Sequence, residues 1–125
     1  MKELQARAYY VGNELKLAEI DKKTDLQPIV RKRDFLLYEL AADTFAVAYS
    51  FGVWVFIGYD QKLEKAYIKK YIRFVSDPQE KYLSEEYAVV IDEKAEKELA
   101  EFSLAVFREI NPDRMTLLSE VLAQS

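Results

Sequence analysis

The run from Thr44 to Asp60, TFAVAYSFGVWVFIGYD, constrains this chain most, because it carries no charge before Asp60 and is too long for one strand. Extended at about 3.3 Å per residue it would span roughly 50 Å, whereas strands usually run about five or six residues. The run must fold back on itself, and Ser50-Phe51-Gly52 is where it turns, since Gly52 can take the positive φ of a hairpin with a G1-type bulge. β-Branched and aromatic residues on either side favour two paired strands, Thr44 to Tyr49 and Val53 to Ile57. Both faces of both strands are apolar. Strands of that kind are either covered on two sides or part of an oligomer.

The remaining elements follow from shorter signals. Leu4 to Val11 reads as a strand stopped by Gly12-Asn13, after which Asn13 looks like the cap of a short helix ending near Lys23. Glu14 to Leu17 also alternates, so a Gly-Asn hairpin is the alternative there. Arg31-Lys32-Arg33 reads as a solvated edge before the next strand, Asp34 to Leu40. Asp60 can cap a helix over Gln61 to Val75, with Leu63, Tyr67, Tyr71 and Phe74 as its apolar row. At about 100° per residue, Lys62, Lys65, Lys69 and Arg73 share the opposite side. Ser76-Asp77-Pro78 stops that helix, and Glu86 to Ile91 is a strand.

Glu93 to Ile110 fits two patterns. Ala95, Leu99, Phe102, Val106 and Ile110 suit a helix, while Phe102, Leu104 and Val106 suit one face of a strand reached by the loop Asp92 to Lys97. Asn111-Pro112-Asp113 starts a final helix, with Asn as cap, Pro at the first helical position and an acid near the positive end of the dipole. Its apolar stripe is Leu118, Val121 and Leu122, and a three-turn helix of this kind must dock on its own sheet or on another copy. The second arrangement is the favoured one, which makes those three residues the candidate self-association site. The expected fold is an α+β domain over 1–113, mostly antiparallel, with the apolar hairpin central and two or three helices flanking it. A ferredoxin-like arrangement is one such layout, and residues 114–125 begin a carboxy-terminal helix.

What the chain lacks limits its chemistry. With no His and no Cys, the usual zinc sites, disulfides, thiol nucleophiles and imidazole acid-base catalysis are excluded. Asp34, Asp43, Asp60 and Asp92 flank strands where a carboxylate pair could meet, but strand ends carry Asp for turns anyway. There is no Gly-rich phosphate loop, no triad and no metal-ligand spacing. The expectation is therefore no enzyme, no cofactor and no metal. The 125 residues suffice for a core without staples, and the net charge of -4 argues against indiscriminate nucleic-acid binding. MKELQARAYY contains no apolar signal core and no run reaches the roughly 20 residues of a membrane helix, so a soluble cytoplasmic chain is expected.

Two segments carry a family resemblance. Tyr49-Ser50-Phe51-Gly52-Val53-Trp54-Val55-Phe56-Ile57-Gly58 resembles the apolar strand, Ser-aromatic-Gly turn and second apolar strand of the DUF 155 family, which includes the "required for meiotic nuclear division" proteins of eukaryotes. Leu117-Leu118-Ser119-Glu120-Val121-Leu122-Ala123-Gln124-Ser125 is similar to that family's helix ending in Leu-Ala-Gln-Ser, in the same order and spacing. Members continue into long helices and often a hydrophobic carboxy-terminal segment. The resemblance thus implies a helix cut short at Ser125, with anchoring or self-association through those later helices outside this chain. It also implies a link to mitochondria and mitochondrial translation in eukaryotes, and it brings no catalytic residues.

The functional expectation is a non-enzymatic interaction or assembly module with a protein partner, forming homo-oligomers. The alternative is binding of RNA or an anionic ligand on Lys62, Lys65, Lys69 and Arg73. That alternative is less favoured because the surrounding sequence lacks the aromatic-plus-glycine pattern of a single-strand RNA platform.

Overall fold

The structure is a computed structural model, described here for residues 2–101 and 104–123. In chain order the elements are β1 (Lys2–Tyr10), β2 (Glu14–Leu15), α1 (Leu17–Lys23), β3 (Val30–Arg31), β4 (Phe35–Ala41), β5 (Thr44–Tyr49) and β6 (Val53–Ile57). After these come α2 (Gln61–Lys70), a 3-10 turn (Ile72–Phe74), β7 (Val75–Ser76), β8 (Leu83–Ile91), β9 (Leu99–Glu101), β10 (Leu104–Phe107) and α3 (Pro112–Ala123). The fold is α+β. One eight-stranded sheet runs β3-β4-β5-β6-β1-β8-β10-β9, and β2 and β7 form a separate pair. Neighbours in the large sheet are antiparallel except β8 and β10, which are parallel. This order is longer than the βαββαβ ferredoxin-like layout, because β4 to β6 form a meander on one side of β1.

The hairpin matches its expected bounds. Gly52 sits at φ 91 in its turn, and Phe45↔Ile57 through Tyr49↔Val53 pair in register. Its two apolar faces are both covered within this chain. Phe45, Val47, Tyr49, Val53, Val55 and Ile57 point to the side that holds Met115, Leu118 and Leu122 of α3. Ala46, Ala48, Trp54 and Phe56 point to the other side, against Ile20 of α1, Ile68 of α2 and Tyr71 just past the end of α2. The register sets Ala48 beside Trp54 and Ala46 beside Phe56, so small side chains on β5 leave room for large ones on β6.

Several elements differ from the sequence pattern, each for a reason in the tertiary contacts. Asn13 caps no helix. Glu14–Leu15 instead pairs with Ser76 and Val75, and α1 begins after Lys16 without a side-chain cap. The second helix stops at Lys70 rather than Val75, since Tyr71 leaves helical geometry at ψ 14 and Val75 is taken up by the ladder with Leu15. Of the two readings of Glu93 to Ile110, the strand is the one formed, but its buried residues are Ala105 and Phe107 while Leu104 is exposed. Parallel pairing with β8 in the register Ala105↔Val89 decides that face. Phe102 lies outside the described residues, as do Gln124 and Ser125.

The last helix begins as its sequence signals require: Asn111 Oδ1 accepts from Arg114 N at 2.9 Å and Pro112 opens the first turn. It docks on this chain's own sheet. Leu118 (2% exposed) and Leu122 (0%) are buried in the same cluster as Ala6, Ala8 and Val55, which overturns the expectation that they face another copy. Val121 is only half-buried, on the outer side of the helix. Burying a leucine is worth about 1.5–3 kcal/mol, so two of them are enough to hold a three-turn helix that would fray alone. Tyr49 adds a polar tie: Ser119 Oγ donates to Thr116 O at 2.9 Å, so Tyr49 Oη donates to Ser119 Oγ at 2.7 Å. Burial pushes the Tyr49 hydroxyl up to about 12, which keeps it a donor.

Candidate interaction surface

The site begins with the way α2 is capped and turned. Asp60 Oδ1 accepts from Lys62 N at 2.9 Å and from Leu63 N at 3.4 Å, fixing the first turn. The periodic row put Leu63 inside, yet Leu63 is 51% exposed and Glu64 beside it is fully buried. Arg7 on β1 is the reason. Its Nη1 donates to Glu64 Oε1 at 2.5 Å and its Nε to Glu86 Oε1 at 3.0 Å, while Tyr9 Oη donates to Glu64 Oε1 at 2.8 Å. A carboxylate with those donors is drawn inward, and the helix rotates with it.

Beneath Glu64 lies an aromatic layer. Tyr67 meets Trp54 edge-on at 5.4 Å and Phe56 at 5.7 Å, and its ring lies 5.1 Å from that of Tyr71. Tyr67 of α2 and Tyr71 at its C-terminal cap thus face the sheet. Burial raises the Glu64 pKa above the usual carboxylate range against the opposing pull of Tyr9 and Arg7, and its Oε2 has no donor among the described residues. Arg7 is raised as well: burial works against its charge, but Glu64 and Glu86 outweigh it.

With Glu64 withdrawn, the outer side of α2 is basic. Lys62, Lys65 and Lys69 are exposed on it as their spacing implied, joined by Lys70, whose Nζ lies 5.5 Å from the centre of the Tyr71 ring. Arg73 is exposed too, but it sits on the 3-10 turn beyond the helix end with its guanidinium 4.9 Å from the Phe74 ring. It therefore continues the patch without continuing the helical row. Among the described residues, none of these five cations forms an ion pair with a carboxylate. Lys70 was the member that the row missed, because it is adjacent to Lys69 rather than one turn away.

A cleft of about 350 Å³ adjoins this face, lined by Tyr9, Gln61, Lys65, Glu80, Lys81, Tyr82 and Ser84. On the far side of the sheet, Leu99, Ala100, Phe107, Leu117 and Val121 line a groove of about 430 Å³ between β9 and α3. Glu98 and Arg114 close its rim through bonds of 2.6 and 2.7 Å. Leu118 and Leu122 are not part of that groove; of the three stripe residues only Val121 reaches it, beside the half-exposed Leu117.

The strand-flanking aspartates do local work. Asp60 caps α2, Asp92 Oδ1 accepts from Lys94 N at 3.0 Å, Asp43 pairs with Lys2 at positive φ, and the backbone of Asp34 accepts from Ser50 N. Among the described residues no group of three or more carboxylates is placed to hold a metal ion, and no helix is long and apolar enough to cross a membrane. No family model matches the chain, and neither a curated protein nor a solved structure matches it.

Proposed function

We propose that this chain is a non-enzymatic interaction module that binds an acidic protein surface through the outer side of α2. One observation carries the reading: Lys62, Lys65, Lys69, Lys70 and Arg73 are exposed without an ion-pair partner among the described residues, while the helix's own carboxylate is buried against Arg7. An unbalanced patch of this kind, on a chain of net charge -4, is a local field that steers an oppositely charged partner. Exposed Leu63 in its midst supplies an apolar contact.

RNA fits the same charges less well. Single-stranded RNA is held by aromatic stacking as well as phosphate contacts, and Tyr67 and Tyr71 are turned onto Trp54 instead of outward. The resemblance to the DUF 155 family supports an assembly role, and its link to mitochondrial translation is the setting that role would take in eukaryotic relatives. Self-association is a second reading, favoured by the groove beside Leu117 and Val121.

Retention of the chain on immobilised polyglutamate and on polyuridylate, measured across a salt gradient, tests the main reading. Retention on polyglutamate should be lost at moderate salt and abolished by Lys65→Glu with Lys69→Glu. Unchanged retention in the double variant, or tighter retention on polyuridylate, would overturn it.

A further inference from the structure

We infer that the cleft beside α2 is an anchor pocket for a single acidic side chain of the protein partner; this rests on the reading of the α2 face given above. The cleft joins three parts of the chain. Gln61 and Lys65 come from the first turns of α2, Glu80, Lys81 and Tyr82 from the segment before β8, and Tyr9 and Ser84 face each other across the β1–β8 ladder. Lys65 belongs both to the basic face and to the cleft, so a partner lying along α2 reaches the cleft without leaving the face.

Its lining selects a carboxylate. Lys65 and Lys81 approach from separate elements, and neither has an ion-pair partner among the described residues. The amide of Gln61 and the hydroxyls of Ser84 and Tyr82 are the neutral donors beside them. Tyr9 forms part of the wall, but its hydroxyl proton is committed to Glu64, so it shapes the pocket and donates nothing to an occupant. Glu64 and Glu86, both engaged by Arg7, do not line the cleft, and among the described residues Glu80 is the one carboxylate that does. Two lysines against that glutamate leave one net positive charge. This suits one carboxylate at the cleft, and leaves the other acidic residues of the partner to the lysines along α2. The amide groups at the start of α2 are not the attraction, because Asp60 already occupies them.

Two blocked peptides that differ only at one central residue, Glu or Gln, separate the possibilities when titrated into the isotope-labelled chain. The Glu peptide should shift the Gln61 side-chain amide and the Ser84 backbone amide, and the Gln peptide should not. Lys81→Gln should weaken the Glu peptide about fivefold, as loss of one exposed charge contact would. If Lys81→Gln leaves the affinity unchanged while Lys69→Gln lowers it, the pocket is wrong and the α2 face stands. Equal shifts with both peptides also overturn the pocket, and affinity insensitive to both lysines overturns the face as well.

Discussion

Gly12 and Gly52 meet backbone to backbone: a Cβ built on Gly52 would lie 2.0 Å from the carbonyl oxygen of Gly12. Three turns converge at this end of the sheet. Val11 N donates to Gly52 O at 3.0 Å, Leu15 N to Ser50 O at 2.9 Å, Asn13 N to Ser76 O at 2.9 Å and Gln79 N to Val11 O at 2.9 Å. The hairpin turn is thereby a packing element as well as a reversal.

Gly52→Ala should accordingly destabilise the fold by more than the roughly 1–2 kcal/mol of a left-handed conformation alone, since Gly52 is at φ 91 and a side chain there has no space. Gly12→Ala should also be destabilising, because its Cβ would lie 2.4 Å from Val75 Cγ1 and 2.7 Å from Ser76 O. Urea unfolding of both variants measures this. A Gly12→Ala chain as stable as the parent would show that the turns separate at little cost.

The Arg7–Glu64 pair makes a second prediction. Arg7→Met leaves a buried carboxylate without its partner and should cost about 3–5 kcal/mol, whereas Arg7→Met with Glu64→Leu should recover most of that loss. Denaturant midpoints for the parent, the single variants and the double variant supply the cycle. Additive losses would mean that the pair does not hold α2 in place.

Glu98 sets an acid-stability expectation. The bidentate bonds from Arg114 and the backbone N–H of Arg108 lower its pKa from 4.5 to about 2. A carboxylate held more acidic in the folded state stabilises above its unfolded pKa and loses that contribution as pH falls through its folded one. Glu98→Gln should therefore be less stable than the parent at pH 6, and the difference should shrink towards pH 2. Thermal unfolding at the two pH values decides; a constant difference would rule out this linkage.

The two sides of α3 should respond oppositely to mutation. Leu118→Ala should cost about 2–5 kcal/mol through a core cavity, independent of protein concentration. Leu117→Glu with Val121→Glu should leave the melting temperature nearly unchanged, and should disperse any oligomer that sedimentation detects in the parent. Loss of folding in that outer pair would place those residues in the core after all.

Local features of the chain were legible without the structure. The uncharged run could only be a hairpin, a positive φ fell to Gly52, and Asp60 and Asn111-Pro112 marked helix starts, because strand length, backbone sterics and capping act within a few residues. The basic residues Lys62, Lys65 and Lys69 were legible for the same reason, their spacing alone placing them on one side of a helix. The tertiary structure decided which side of α2 turned inward, since Leu63 would win on hydrophobicity and loses to Glu64 only because Arg7, 57 residues away, offers a partner for its charge. It also decided that Leu118 and Leu122 pack on their own sheet, that Ala105 and Phe107 rather than Leu104 face the core, and that Gly12 must be small. Each of these depends on the complementarity of charge, register or space between segments far apart in the chain, and a local pattern carries no record of its distant partner.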